Sequence, residues 1–128
     1  MPSIADQDGL AANAVISRVG RVLVARLVGD LHGQHLTRFQ DELLGAIRRG
    51  QARGVVIDLS AIDLLDDIEF AGLRATLQML GLLGATSVLS GLKPALAAAL
   101  IASGAEVDDL TTARSVEEGM KLTEARTT

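Results

Sequence analysis

Residues 54–59, with the sequence GVVIDL, form an almost unbroken apolar run that is rich in β-branched side chains. Such a run is typical of a strand buried on both faces of a sheet, because a strand with one wet face alternates apolar and polar residues. A sheet covered on both faces needs helices on each side, and parallel strands joined by helices supply them. The run therefore predicts an α/β fold with this strand inside the sheet.

Strand and helix patterns alternate along the rest of the chain. Two β-branched stretches, residues 14–18 and 21–28, precede a helical period that begins at His35 and ends near Gly50. After the central run, the patterns predict a helix over residues 67–83, a strand over 85–91, a helix over 94–102, a short strand over 107–110 and a helix over 115–123. The order ββαβαβαβα predicts a mixed, mostly parallel central sheet with helices packed against it.

The length of 128 residues fits one domain. We expect residues 1–13 to be a mobile tail, residues 14–123 to be the domain and residues 124–128 to be a frayed C terminus. The amino terminus has no basic and apolar leader, and no run approaches the roughly 20 apolar residues of a membrane span. These features predict a cytoplasmic protein with no membrane partner.

Composition narrows the classes of partner. The chain has a net charge of −4 and two aromatic residues. A nucleic-acid partner is therefore not expected, because such binding needs a basic face and usually stacking aromatics. The hydrophobic fraction of 48% is high for a small domain and indicates that other subunits cover part of its surface.

An acidic turn, residues 64–69 (LLDDIE), follows the central run. Loops after parallel strands often carry the chemistry of α/β proteins. Asp66 and Glu69 are three residues apart before an apolar helical stretch, which is the pattern of a capping box. Asp67 would then lie in the first helical turn, where a negative charge gains about 0.3–1 kcal/mol from the helix dipole.

A catalytic or metal site at this turn would also recruit Asp58 and Asp63. No base, lysine or phosphate-cradling loop accompanies these carboxylates, so we expect neither catalysis nor a metal or cofactor. His32 and His35 have a spacing that two metal ligands use, but the sequence offers no clear third ligand, and we expect exposed loop histidines.

Lys93 and Pro94 follow a predicted strand, as a Lys-Pro pair does in receiver domains that phosphorylate an aspartate. The two opening strands depart from that pattern, and Pro94 is better explained as the first residue of a helix. A receiver-like phosphoacceptor at Asp58 remains the alternative.

Three stretches resemble the STAS domain of anti-sigma-factor antagonists: residues 39–44 (FQDELL), 54–66 (GVVIDLSAIDLLD) and 83–95 (LGATSVLSGLKPA). The resemblance runs from about Val15 to Leu122 and is strongest to the scaffold type found in stressosomes. It implies a non-catalytic STAS fold that acts by partner switching in a stress response. The loop of residues 29–34 lacks the Ser or Thr of a second phosphosite in related co-antagonists, which favours the scaffold type.

The resemblance also assigns a role to Asp67. In that family the residue after the Asp of the turn is typically a Ser or Thr that a partner kinase phosphorylates. Asp67 occupies the matching position and supplies a permanent, phosphomimetic charge of about −1, where phosphoserine carries about −1.5 to −2. The implied partner-binding surface lies near Asp63, Asp66, Asp67 and Glu69.

The implied partners are a switch serine/threonine kinase, a sensor-bearing STAS co-antagonist and further copies of the chain. A structural STAS subunit without a switch is the remaining possibility, with Asp67 serving as a helix-start residue alone.

Overall fold

The computed structural model describes residues 13–127, with side chains to residue 124. The elements are β1 (Ala14–Val19), β2 (Val22–Leu27), α1 (Gly33–Arg48), β3 (Gly54–Asp58), α2 (Asp67–Leu82), β4 (Thr86–Ser90), α3 (Pro94–Ala102), β5 (Thr112–Ala113) and α4 (Val116–Thr127). The predicted order ββαβαβαβα is confirmed.

The five strands form one sheet in the order β1-β2-β3-β4-β5. β1 pairs with β2 in antiparallel register, and the other three pairs are parallel. All five residues of β3 are buried at the centre of this sheet. The apolar run thus occupies the position that its composition predicted, and the mixed, mostly parallel sheet is confirmed.

Helices cover both faces of the sheet. α4 packs on one face, where a Cβ added to Gly119 would lie 3.1 Å from Val56 and 3.5 Å from Val88. α1 and α2 lie side by side over the other face. The largest buried core contains Leu23, Ala25, Leu27, Phe39, Leu43, Val55, Ile57, Leu59, Phe70, Leu73, Leu80, Leu89, Leu96 and Leu100.

The prediction of a strand over residues 107–110 was wrong. These residues form a turn in which the Leu110 N–H donates to the Val107 carbonyl at 3.1 Å. Both side chains are half-buried against the core, because their three-residue spacing lets one turn direct both inward. Pairing with β4 begins later, at Thr112–Ala113.

The structure describes most of the predicted C-terminal segment and little of the predicted N-terminal tail. α4 continues to Thr127 and so extends into the segment predicted to fray. Most of the predicted N-terminal tail, residues 1–12, lies outside the described residues. The division into tail, domain and C-terminal segment therefore stays a prediction.

Candidate functional site

The acidic turn lies between the end of β3 and the start of α2, and Asp58 anchors the loop that leads into it. The Asp58 carboxylate accepts a hydrogen bond from the Ser60 N–H at 3.0 Å and lies 3.9 Å from Arg26 Nε. Gly91 (φ +70°) approaches from the end of β4, where an added Cβ would lie 2.9 Å from Asp58 Oδ1. Asp58 is thus 9% exposed and shapes the loop, with little room left for a phosphoacceptor.

Lys93 and Pro94 serve the start of α3. Pro94 is the first helical residue, as predicted, and Lys93 is the N-cap. Lys93 Nζ donates to Asp63 Oδ1 at 2.6 Å; the Asp63 side chain is exposed and the Lys93 side chain is half-buried. The lysine therefore neutralises Asp63 at the rim of the turn.

The predicted capping box at Asp66 and Glu69 is present. Asp66 Oδ1 accepts from the Glu69 N–H at 2.7 Å, and Glu69 Oε1 accepts from the Asp66 N–H at 3.1 Å. The Glu69 N–H bond is the largest cause of a lowered Asp66 pKa, because it favours the carboxylate form. Both carboxylates are therefore committed to starting α2.

Glu69 has a second structural contact. Its Oε2 accepts from the Leu31 N–H at 2.9 Å, and Leu31 lies fully buried in the loop between β2 and α1. Glu69 itself is only 7% exposed. Of the residues predicted to lie near a partner surface, Glu69 shapes that surface from beneath and is closed to direct contact.

Asp67 is the first residue of α2 and is exposed. Because Asp66 and Glu69 complete the cap, Asp67 is not needed for it. Its neighbours include two exposed apolar side chains, Leu64 at 77% and Ile68 at 71%. The outward surface of the turn thus combines one carboxylate with apolar groups, a combination suited to contact with another protein.

Two histidines lie beside the turn. His32 is exposed in the loop between β2 and α1, as predicted, whereas His35 lies in the first turn of α1 and is half-buried, so the prediction of a loop position was wrong for His35. His32 Nε2 lies 2.7 Å from Asp66 Oδ2, and His35 Nδ1 lies 3.0 Å from Asp30 Oδ1. The hydrogen bond to Asp66 is the largest cause of a raised His32 pKa, with the charges of Asp66, Glu69 and Asp30 adding to it. The pKa of Asp30 is lowered, first by the His32 backbone N–H that it accepts and then by His35.

Sequence reasoning missed this cluster because its contacts join residues 34 positions apart in the chain. One signal was available. β2 and β3 are adjacent parallel strands, and parallel neighbours bring the loops that follow them to the same edge of the sheet.

The sequence offers no clear third ligand for a metal shared by His32 and His35, and the structure instead brings two carboxylates to His32. Asp30, His32 and Glu69 each offer one ligand atom within 4.8 Å of the others. Both Glu69 oxygens already accept backbone N–H groups, and His32 Nε2 is held by Asp66. A cation would have to compete with these bonds, so the group is described better as an internal hydrogen-bond and ion-pair network.

Within residues 13–127, every helix is too short or too polar to cross a bilayer.

Comparison with known proteins places this geometry in a family. Residues 13–119 match the STAS domain. The solved structure of RsbS from Moorella thermoacetica, in a variant with one serine replaced by glutamate, is 28% identical with a TM-score of 0.76, and the match covers 91% of this chain and 98% of that one. A chain in the molecular architecture of the stressosome, described as a signal integration and transduction hub, is 30% identical with a TM-score of 0.75, covering 88% and 98%.

A longer relative is also similar. The RsbT co-antagonist protein RsbRA of Bacillus subtilis (strain 168) is 21% identical over 100 residues, which are 78% of this chain and 36% of that protein. The chain therefore spans about a third of that relative's length. The matched domain, the fold and the similarity to stressosome components agree, and this chain belongs to the STAS-domain family of anti-sigma-factor antagonists and stressosome proteins.

Proposed function

We propose that this chain is a cytoplasmic, non-catalytic scaffold of a partner-switching pathway, which assembles with STAS paralogues and sequesters a switch serine/threonine kinase. The kinase would dock on the surface formed by Leu64, Asp67 and Ile68, called here the Asp67 surface. The observation that carries the proposal is an exposed carboxylate at the first residue of α2, beside a complete capping box.

Asp67 would be a fixed form of a charge that is switchable in a phosphorylated serine. A phosphoserine at a helix start would gain from the helix dipole, as Asp67 does, and would present its charge outward. The RsbS relative was solved with a glutamate in place of a serine, which makes an acidic replacement compatible with a STAS fold. In this chain the acid would be part of the sequence, so the kinase would meet a negative surface at all times.

The charge would oppose docking through like-charge repulsion or through the cost of desolvating the carboxylate. Asp67→Ser and Asp67→Asn both remove it, and we expect both to bind the kinase about tenfold more tightly, since like charges at an interface can cost several kcal/mol. Only Asp67→Ser would also accept phosphate from ATP and the kinase, because the transfer needs a hydroxyl oxygen.

The measurement is the dissociation constant of a purified switch kinase, by calorimetry, for the wild-type chain and both variants. Glu117→Gln is the matched control, because Glu117 is an exposed carboxylate on α4, which packs on the other face of the sheet. Equal affinities for all four proteins would contradict the charge switch and favour a structural subunit. No binding by any of them would contradict kinase sequestration itself.

A further inference from the structure

Two contacts beside Asp67 join the neighbouring loop to α2. His32 and the backbone of Leu31 connect the loop between β2 and α1 to the first turn of α2. The Leu31 connection runs from a backbone N–H to the buried Glu69 carboxylate, and it does not depend on a side-chain proton of the loop. The His32 connection joins an imidazole to the Asp66 carboxylate at 2.7 Å, so its strength depends on whether the imidazole is charged.

The surroundings of His32 are strongly acidic. Asp66 and Glu69 approach it from α2, with Glu69 Oε1 3.9 Å from Nε2. Asp30 approaches from its own loop, with Oδ1 3.6 Å from Nδ1, and the same oxygen binds His35 of α1 at 3.0 Å. Three carboxylates thus share two imidazoles, and the proton on His32 determines whether their charge is offset next to Asp67.

We propose that His32 is a proton-operated clamp that joins the loop between β2 and α1 to the start of α2. In the protonated state the loop and the Asp67 surface form one continuous docking face. Loss of the proton weakens the contact between His32 and Asp66, loosens the loop and leaves the face one unit more negative. The effect on kinase binding rests on the proposed function, whereas the clamp itself does not.

The position of the clamp explains how one proton would reach the Asp67 surface. Asp66 is the N-cap of α2, and Asp67 and Ile68 are the next two residues. A change in the Asp66 hydrogen bonds is therefore transmitted directly to the backbone that carries both exposed side chains. The buried contact between Leu31 and Glu69 keeps the loop attached, so the switch changes the face without unfolding it.

The first test uses the chain alone, in buffer with EDTA to exclude divalent ions. The imidazole signals and backbone amides are followed by NMR from about pH 5 to about pH 9 for wild type, His32→Gln and His35→Gln, a range that spans the titration of histidine. We expect the Asp67 and Ile68 amides to shift with the same midpoint as the His32 imidazole. This shift should persist in His35→Gln and disappear in His32→Gln.

Asp66→Asn tests the partner of the clamp, because asparagine is a good N-cap but carries no charge. It should lower the midpoint of His32 and keep α2 folded. The clamp is overturned if the Asp67 and Ile68 amides do not follow His32, if His32→Gln retains their shift, or if Asp66→Asn leaves the His32 midpoint unchanged.

The second test measures kinase binding at pH 6 and pH 8, with one kinase preparation for every variant so that its own titration cancels. For each protein we take the ratio of its kinase affinity at pH 6 to its affinity at pH 8. We expect this ratio to be about threefold larger for wild type than for His32→Gln, which is the size expected for an exposed charge pair. Identical pH dependence in both proteins would overturn the regulation of docking. Absence of binding at both pH 6 and pH 8 would instead overturn the proposed function, and the NMR titration would still test the clamp.

Discussion

The carboxylates of Asp66, Asp67 and Glu69 have different structural roles, although the three residues lie within four positions of the sequence. Glu69 is buried and accepts two backbone N–H groups, from Asp66 and from Leu31. Asp67 is exposed and lies beside a cap that is complete without it. We therefore expect stability and the proposed partner binding to depend on different residues of the same turn.

This division predicts unequal effects on stability. Glu69→Ala leaves two backbone donors without their acceptor and should lower the free energy of unfolding by about 2–4 kcal/mol. Asp67→Ala removes an exposed charge at the helix start and should cost less than about 1 kcal/mol. Urea unfolding followed by circular dichroism measures both. Equal losses would show that Asp67 is part of the cap, and no loss in Asp67→Ala would remove its helix-dipole role.

How far these roles could be predicted depends on the distance between partners in the chain. The capping box was predictable, because Asp66 and Glu69 interact across three positions and the pattern is local. The role of Asp67 came from a family resemblance and stays a proposal. The contacts of His32 with Asp66 and of Leu31 with Glu69 depend on how two loops meet in the folded chain, which no local pattern specifies.

At the scale of elements, the packing of α1 on α2 fixes where those two loops meet. Gly72 faces Leu36 so closely that an added Cβ would lie 2.6 Å from Leu36 Cδ2. Nearby, Gln40 Nε2 donates to Thr76 Oγ1 at 3.0 Å and joins the same two helices. The absence of a side chain at Gly72 therefore allows the helices to approach.

Two glycines of α2 provide a matched test of this contact. Gly81→Ala meets no atom within 4 Å and should raise the free energy of unfolding by about 0.5–1 kcal/mol through helix propensity. Gly72→Ala gains the same propensity but displaces Leu36, and we expect a net loss of about 1–2 kcal/mol. Thermal and urea unfolding compare the two. A gain in both variants would mean that Leu36 moves aside at no cost.

The position of β5 could not be predicted from the hydrophobic pattern of the sequence. Val107 and Leu110 are apolar, and a strand over residues 107–110 is the prediction from the sequence, yet both side chains are half-buried by a turn. β5 has only two residues, and its position is set by pairing with Leu89 and Ser90 of β4. Such a short edge strand has too few residues for an alternating pattern of its own.

For the whole molecule, ion pairs and hydrogen bonds define an acid limit of stability. Backbone N–H groups are the largest cause of lowered pKa values for Asp30, Asp66 and Glu118, and the Arg74 side chain lowers the pKa of Asp109. A carboxyl with a lowered pKa stabilises the fold above its ordinary value, which is 3.8 for Asp and 4.5 for Glu. That contribution is lost as the pH falls through the folded pKa.

His32 affects stability at the alkaline end of the pH range. Its pKa is raised above 6.5, so its contribution is complete below that pH and is lost as the pH rises through the folded pKa. We therefore expect the urea midpoint to be highest between about pH 5 and 6.5 and to fall on both sides. His32→Gln should lose the decline on the alkaline side and keep the acid one. An unchanged alkaline decline in that variant would assign it to another group.

Assembly is the property of the whole molecule that a scaffold requires. Large apolar side chains are exposed on several elements, including Val15 on β1, Leu82 on α2 and Ile101 on α3. Because these residues lie on different elements, more than one surface can be covered by other subunits. Contacts of this kind do not weaken with salt, whereas exposed ion pairs are screened.

We expect light scattering after size exclusion to give a mass above the 13.3 kDa of one chain, and a larger species when the chain is mixed with its sensor-bearing STAS paralogue. Raising the salt to about 1 M should leave both species intact, since apolar burial and not charge holds them. Dissociation in salt would assign the interfaces to ion pairs. A mass of one chain both alone and in the mixture would contradict the scaffold, even if the kinase still bound at the Asp67 surface.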